Sequence, residues 1–146
     1  MRRSIVIVAL TLAAALLMAA GRLVWAAGAY YDRGQAVEAG DPHQACLWYG
    51  ETMRAYLPLY HPRFGMAHEA LRRMAEEAEA GGDLRLALFA WEEIHASLRA
   101  VRWLRQPSSE WLAESEEQIQ RLLTLLSEEK GPEAALPPPS AVPPAP

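Results

Sequence analysis

The sequence predicts an all-α protein, a single N-terminal transmembrane helix followed by an antiparallel helical bundle of about four helices. Three observations predict it. Residues 4–20 are seventeen in a row without a charge, led in by Arg2 and Arg3. The remainder is rich in Ala, Leu, Glu and Arg, whose intrinsic preference is helical. Its apolar residues recur at three- and four-residue spacing between Gly-Asp, Pro and Ser punctuation.

A membrane span needs ~20 mostly apolar residues. Residues 4–20 continue through Gly21, Arg22, Leu23, Val24 and Trp25 to Ala29, which is long enough if the Arg22 side chain reaches the headgroups. Trp25, Tyr30 and Tyr31 then fall where an aromatic belt is expected. Residues 1–29 are therefore assigned as the anchor. The same stretch admits a second reading, a cleaved secretory signal with small-residue sites at Val24-Trp25-Ala26 or Ala27-Gly28-Ala29. Arg22 and the long apolar middle stand against cleavage. A lipid-attachment box is ruled out because the only cysteine is Cys46. Arg2 and Arg3 favour a cytoplasmic N-terminus, while Arg22 and Arg33 on the other flank oppose it.

Residues 30–130 are assigned as the helical domain. Residues 30–39 hold no proline and only Gly34 interrupts them. Span and continuation thus predict one rod of about 36 residues, ~54 Å long. A break at Gly28 or Gly34 is the alternative, each glycine costing a helix about 1 kcal/mol relative to alanine. Gly40-Asp41-Pro42 then closes one helix and opens the next: glycine stops, aspartate caps and proline takes the first position.

The second helix is predicted over 42–57, with Ala45, Tyr49, Thr52 or Met53, and Tyr56 inward. Pro58 and Pro62 frame a loop. The third helix, 63–80, buries Phe64, Ala67, Leu71, Met74 and Ala78 and presents Glu69, Arg72, Arg73, Glu76 and Glu77 outward. After Gly81-Gly82-Asp83, a fourth helix over 84–105 carries Leu84, Leu88, Trp91, Ile94 or His95, Leu98 and Val101 inward. Pro107 and the Ser108-Ser109-Glu110 cap introduce a fifth, with Trp111, Ser115, Ile119, Leu122 and Leu126 on one side. Residues 131–146 hold seven prolines and one charge, a composition expected to stay disordered or polyproline-like.

Charge and cysteine usage narrow the function. From Asp32 onward there are 18 acidic and 11 basic residues, a poor match for a phosphate backbone, so nucleic acid is not an expected partner. Thirteen arginines against one lysine fit a high-GC bacterial coding bias. One cysteine excludes an internal disulfide, leaving packing to stabilise the domain.

Two segments match at an offset of 42 residues: Gly40, Asp41, Ala45 and Tyr49, then Gly82, Asp83, Ala87 and Trp91. Glycine permits the tight turn and aspartate caps. Alanine lets two helix backbones approach, and the aromatic fills the space one turn later. On these residues the chain resembles the tetratricopeptide repeat family over roughly residues 27–105. It departs from the family pattern where Arg33 and Ala75 replace the usual first-helix glycine, and its offset exceeds the usual repeat length. The resemblance implies a protein-binding scaffold without catalysis. An ordinary antiparallel bundle with Gly-Asp turns remains open.

No spacing signals chemistry. His43, His61, His68 and His95 lack ligand spacing, and neither HExxH, CxxC nor a GxxxxGK phosphate loop occurs, so no metal or cofactor is expected. Cys46 sits in a helix's first turn, but with no base in view it reads as a packed cysteine. Glu76-Glu77, Glu92-Glu93, Glu116-Glu117 and Glu128-Glu129 read as solvated faces. Arg99, Arg102, Trp103 and Arg105 suit a helix C-terminus, where they would pair with nearby glutamates or hold an acidic partner or lipid headgroups. Together with Tyr56 and Tyr60 they are the expected partner-binding residues; Tyr49 and Trp91 are further aromatic candidates. The expectation is a bacterial inner-membrane, single-pass scaffold, its N-terminus cytoplasmic and its domain periplasmic, acting on protein partners of an envelope complex and touching membrane lipid. The alternative is a secreted or periplasmic ligand-binding domain after signal cleavage.

Overall fold

The computed structural model describes residues 2–55, 62–101 and 109–129, and side chains from Val6 onward except Leu23. Among the described residues the only regular elements are five helices: α1 (Arg2–Val37), α2 (Pro42–Arg54), α3 (Pro62–Ala80), α4 (Leu84–Val101) and α5 (Ser109–Glu129).

Helix α1 runs unbroken for 36 residues, so neither Gly28 nor Gly34 ends it. Its two halves differ. Leu10, Leu17 and Trp25 on the first are 65%, 73% and 76% exposed, and its most apolar window is wholly uncovered by the rest of the chain. That helix is long and apolar enough to cross a membrane. From Ala27 onward it enters the core. Gly34 explains why a glycine is tolerated mid-helix: a Cβ there would meet the Tyr49 ring at 2.8 Å. The missing side chain lets α2 close on α1.

The two Gly-Asp turns build the same cap. Asp41 Oδ1 accepts from the Gln44 amide and Asp83 Oδ1 from the Leu86 amide, both at 3.0 Å. Ala45 and Ala87 follow without exposure, and Tyr49 and Trp91 fill the core one turn later. The turns differ at the glycine. Gly82 takes φ +84°, and the Asp83 amide donates to Ala78 O at 2.8 Å, a Schellman closure. The first turn is tighter, with the Asp41 amide donating to Val37 O at 2.8 Å.

Packing follows chain order. Helix α1 lies on α2, α2 on α3, α3 on α4 and α4 on α5, while α2 also packs on α4 and α1 touches α3 lightly. The core gathers Tyr31, Cys46, Tyr49, Met53, Leu71 and Trp91 with Ile94, Leu98 and Leu122. Alternating direction gives the bundle two ends. The turns 38–41 and 81–83 lie at one. The C-termini of α2 and α4, the N-termini of α3 and α5, and the point where α1 emerges lie at the other. Arg63 marks that end, donating to Gly28 O at 2.9 Å and pairing with Asp32 at 2.7 Å.

Three details depart from the sequence reading. Helix α2 ends at Arg54 with Ala55 as its cap, short of position 57. Helix α3 begins at Pro62 rather than Arg63, since proline's fixed φ suits a first helical position. Tyr31 is not part of a belt: it is buried against Tyr49 with ring centroids 5.4 Å apart.

Candidate interaction surface

Of the six residues expected to bind a partner, the structure places one. Arg99 is exposed near the end of α4, on the bundle end from which α1 emerges. Arg102, Trp103, Arg105, Tyr56 and Tyr60 lie outside the described residues. Tyr49 and Trp91 are core, not contacts.

The groove between α1 and α3 escaped sequence reading. These helices touch only lightly, which leaves a cleft lined by Gln35, Glu38, Met74, Glu77, Ala78 and Leu86, continued toward the apolar part of α1 by Tyr31, Met66, Glu69 and Ala70. Its more distal part encloses ≈ 620 Å³. Arg73 sits where the two stretches meet. It donates to Glu38 at 2.6 Å and to Glu77 at 3.3 Å, and the Glu38 bond raises its pKa further. The other Glu38 oxygen accepts from the Tyr49 hydroxyl at 2.5 Å. Burial, then this bond, raises the Tyr49 pKa. The floor is apolar and the rim carries Glu38, Glu69 and Glu77, with the exposed Arg73 bridging Glu38 and Glu77.

Cys46, His95 and Glu93 are held by packing or pairing. Cys46 is fully buried, and burial followed by Glu93 and Glu38 pushes its thiol up to about 12. His95 Nδ1 lies 3.1 Å from Ser115 Oγ, joining α4 to α5. Glu93 pairs with Arg54 at 2.5 Å rather than facing solvent as expected, its side chain only 14% exposed. Among the described residues no three His, Cys, Asp or Glu gather as metal ligands.

No protein family, curated protein or solved structure matches this chain. The functional reading therefore rests on residues and geometry.

A second surface joins α1 to α2. Tyr30 stacks on Trp48 at 5.8 Å and 19°, and the Arg33 guanidinium lies 5.1 Å from the Trp48 ring. Tyr30 and Trp48 are half-buried, Arg33 is exposed, and neighbouring Leu47 is 44% exposed. The sequence signal was available in part. Tyr30 and Arg33 are three apart on one helix, but nothing local pairs them with Trp48.

Proposed function

We propose that this chain is a membrane-anchored scaffold that holds another protein at a bacterial inner membrane, its N-terminus cytoplasmic and its domain periplasmic, without catalysis of its own. One observation carries the reading. A single unbroken helix is bare and apolar over its first two thirds and core-packed over its last third. Cleavage at Ala26 or Ala29 would cut it beside buried Ala27 and Gly28, whose carbonyl accepts from Arg63. A permanent tether leaves those contacts intact.

The domain reads as tetratricopeptide-like with an atypical first repeat. Support comes from the matched caps at Asp41 and Asp83, the matched Ala45/Tyr49 and Ala87/Trp91 pairs, and the packing of α2 on both α3 and α4. In that reading the α1–α3 cleft is the partner groove. Its acidic rim and apolar floor suit an amphipathic segment carrying basic residues.

The test is to determine the N-terminus of the membrane-extracted protein by mass spectrometry, with in-cell crosslinking of the full chain. An intact start at Met1 in the alkali-resistant membrane fraction, with crosslinks from Met66 or Gln35 positions to one protein, is the expected result. A chain beginning near Ala27 or Tyr30 overturns the tether and leaves the cleaved, ligand-binding reading.

A further inference from the structure

We propose that the bundle is seated directly on the phospholipid headgroup layer, with Trp48 of α2 serving as a second interfacial anchor beside α1. This rests on the tether reading above. The argument starts from register. Trp25 is the last fully bare aromatic of the apolar stretch, and Ala27, two residues on, is already 2% exposed. No linker separates span from core. Tyr30 lies five residues beyond Trp25, about 7.5 Å along the axis. That is close to the ~5–7 Å depth of the headgroup region on one side of a bilayer.

Trp48 stacks on Tyr30, so its indole occupies the same level. From Trp48, α2 descends toward the anchor for six more residues, about 9 Å, and the α3 N-terminus meets α1 at Gly28. The bundle's end is thus level with the foot of its own rod. An indole over a tyrosine, with a guanidinium on its face, is the chemistry that membrane interfaces favour: amphipathic rings and cations that reach phosphate.

Charge placement agrees. Arg22, Arg33 and Arg99 are exposed on the anchor side with Glu110, while Asp32 and Glu51 there are tied to Arg63 and Arg54. The opposite end carries Asp83, Glu128 and Glu129 with Arg85, while Glu76, Glu77 and Glu79 there are tied to Arg72, Arg73 and Arg121. Anionic lipid would attract the first set and repel the second. The occupant of the Tyr30–Trp48–Arg33 face is therefore lipid headgroup, not a second copy of the chain.

The experiment places the full chain in nanodiscs of phosphatidylcholine and phosphatidylglycerol containing a headgroup-nitroxide lipid, and reads tryptophan quenching. Trp25→Phe and Trp48→Phe are each expected to lose part of the lipid-dependent quenching. Loss in Trp25→Phe alone overturns the seating and keeps the tether; loss in neither overturns both. As a check that does not alter Trp48, a fluorophore at Leu47→Cys should transfer energy to a headgroup dye more efficiently than one at Leu123→Cys, on the opposite end. Equal transfer overturns the proposal, as does lipid-independent disulfide pairing of Leu47→Cys between two chains.

Discussion

The His68 imidazole lies flat on the Trp111 indole, ring centroids 4.1 Å apart and planes 13° from parallel. This stack, extended by Phe64 at 6.4 Å from the same indole, fastens α5 to α3. His68 is 3% exposed, and its Nε2 has no hydrogen-bond partner among the described residues. A neutral ring tolerates that site; an imidazolium does not.

Acid should therefore loosen α5. Burial lowers the His68 pKa, with Arg72 pushing the same way and Glu69 opposing. In the unfolded chain the ring titrates near ~6.5. Between the lowered folded value and that value, the unfolded state binds the extra proton. Stability from this residue is then complete above the unfolded pKa and is lost as pH falls toward the folded one, with a slope of at most about 1.4 kcal/mol per pH unit. His68→Phe keeps the stack and should flatten denaturant midpoints between pH 5 and 7.5. An unchanged slope in that variant would falsify the assignment.

Gly34 should resist replacement. Alanine normally gains a helix about 1 kcal/mol over glycine. Here the new Cβ would press on the Tyr49 ring, which Tyr31 and Glu38 hold in place. Overpacking of this kind costs about 1–3 kcal/mol. Gly34→Ala should lower stability in urea melts, and Tyr49→Leu in the same chain should recover part of the loss.

How much could be read in advance follows from range. The starts of α2 and α4 were legible because Asp41, Pro42 and Asp83 act on their own neighbours. The stripe Ala67, Leu71, Met74 and Ala78 was legible because period alone selects a helix face. Tyr30 and Tyr31 were not separable, since adjacent residues point about 100° apart and only the position of α2 decides which is buried. Ser97 gave no signal. It is buried because its hydroxyl reaches Gly50 O at 3.3 Å, 47 residues away. The α1–α3 cleft likewise exists only once two helices distant in sequence fail to close on each other.

Gly50 and Glu93 should be coupled. A Cβ at Gly50 would run into the Glu93 carboxylate, which Arg54 holds at 2.5 Å. Gly50→Ala alone should destabilise, and Glu93→Ala alone should leave Arg54 with Glu51 as its one remaining carboxylate partner. In the double variant, the space opened at position 93 receives the new methyl. The double-mutant cycle should show coupling of about 0.5–3 kcal/mol, against near zero for independent sites.

The Cys46 thiol should be silent while the domain is folded. Its pKa, raised from 9.0 to about 12, lowers the reactive thiolate fraction at pH 8 by about 10³-fold. With no exposed surface it is also closed to reagent. A colourimetric disulfide reagent should therefore count no thiol in the native chain and one in guanidinium. Rapid native labelling contradicts this packing.

On α5 two neighbouring residues should separate packing from charge. Arg121 forms two hydrogen bonds to Glu79, at 2.5 and 2.6 Å, and the pair holds the Glu79 carboxyl below its usual range. Both side chains are partly exposed, at 44% and 29%, so solvent screens most of that attraction. Arg121→Ala should cost about 0–1 kcal/mol, shrinking further in high salt. Leu122 has no exposure and closes the core where α5 meets α4. Leu122→Ala removes buried methyl groups and leaves a cavity, a change costing about 2–5 kcal/mol that salt does not relieve. Urea melts of the two variants at low and high salt compare them directly. If Arg121→Ala proves the more damaging at high salt, α5 is held by its rim rather than its buried face, and its place as the closing helix of the bundle is wrong.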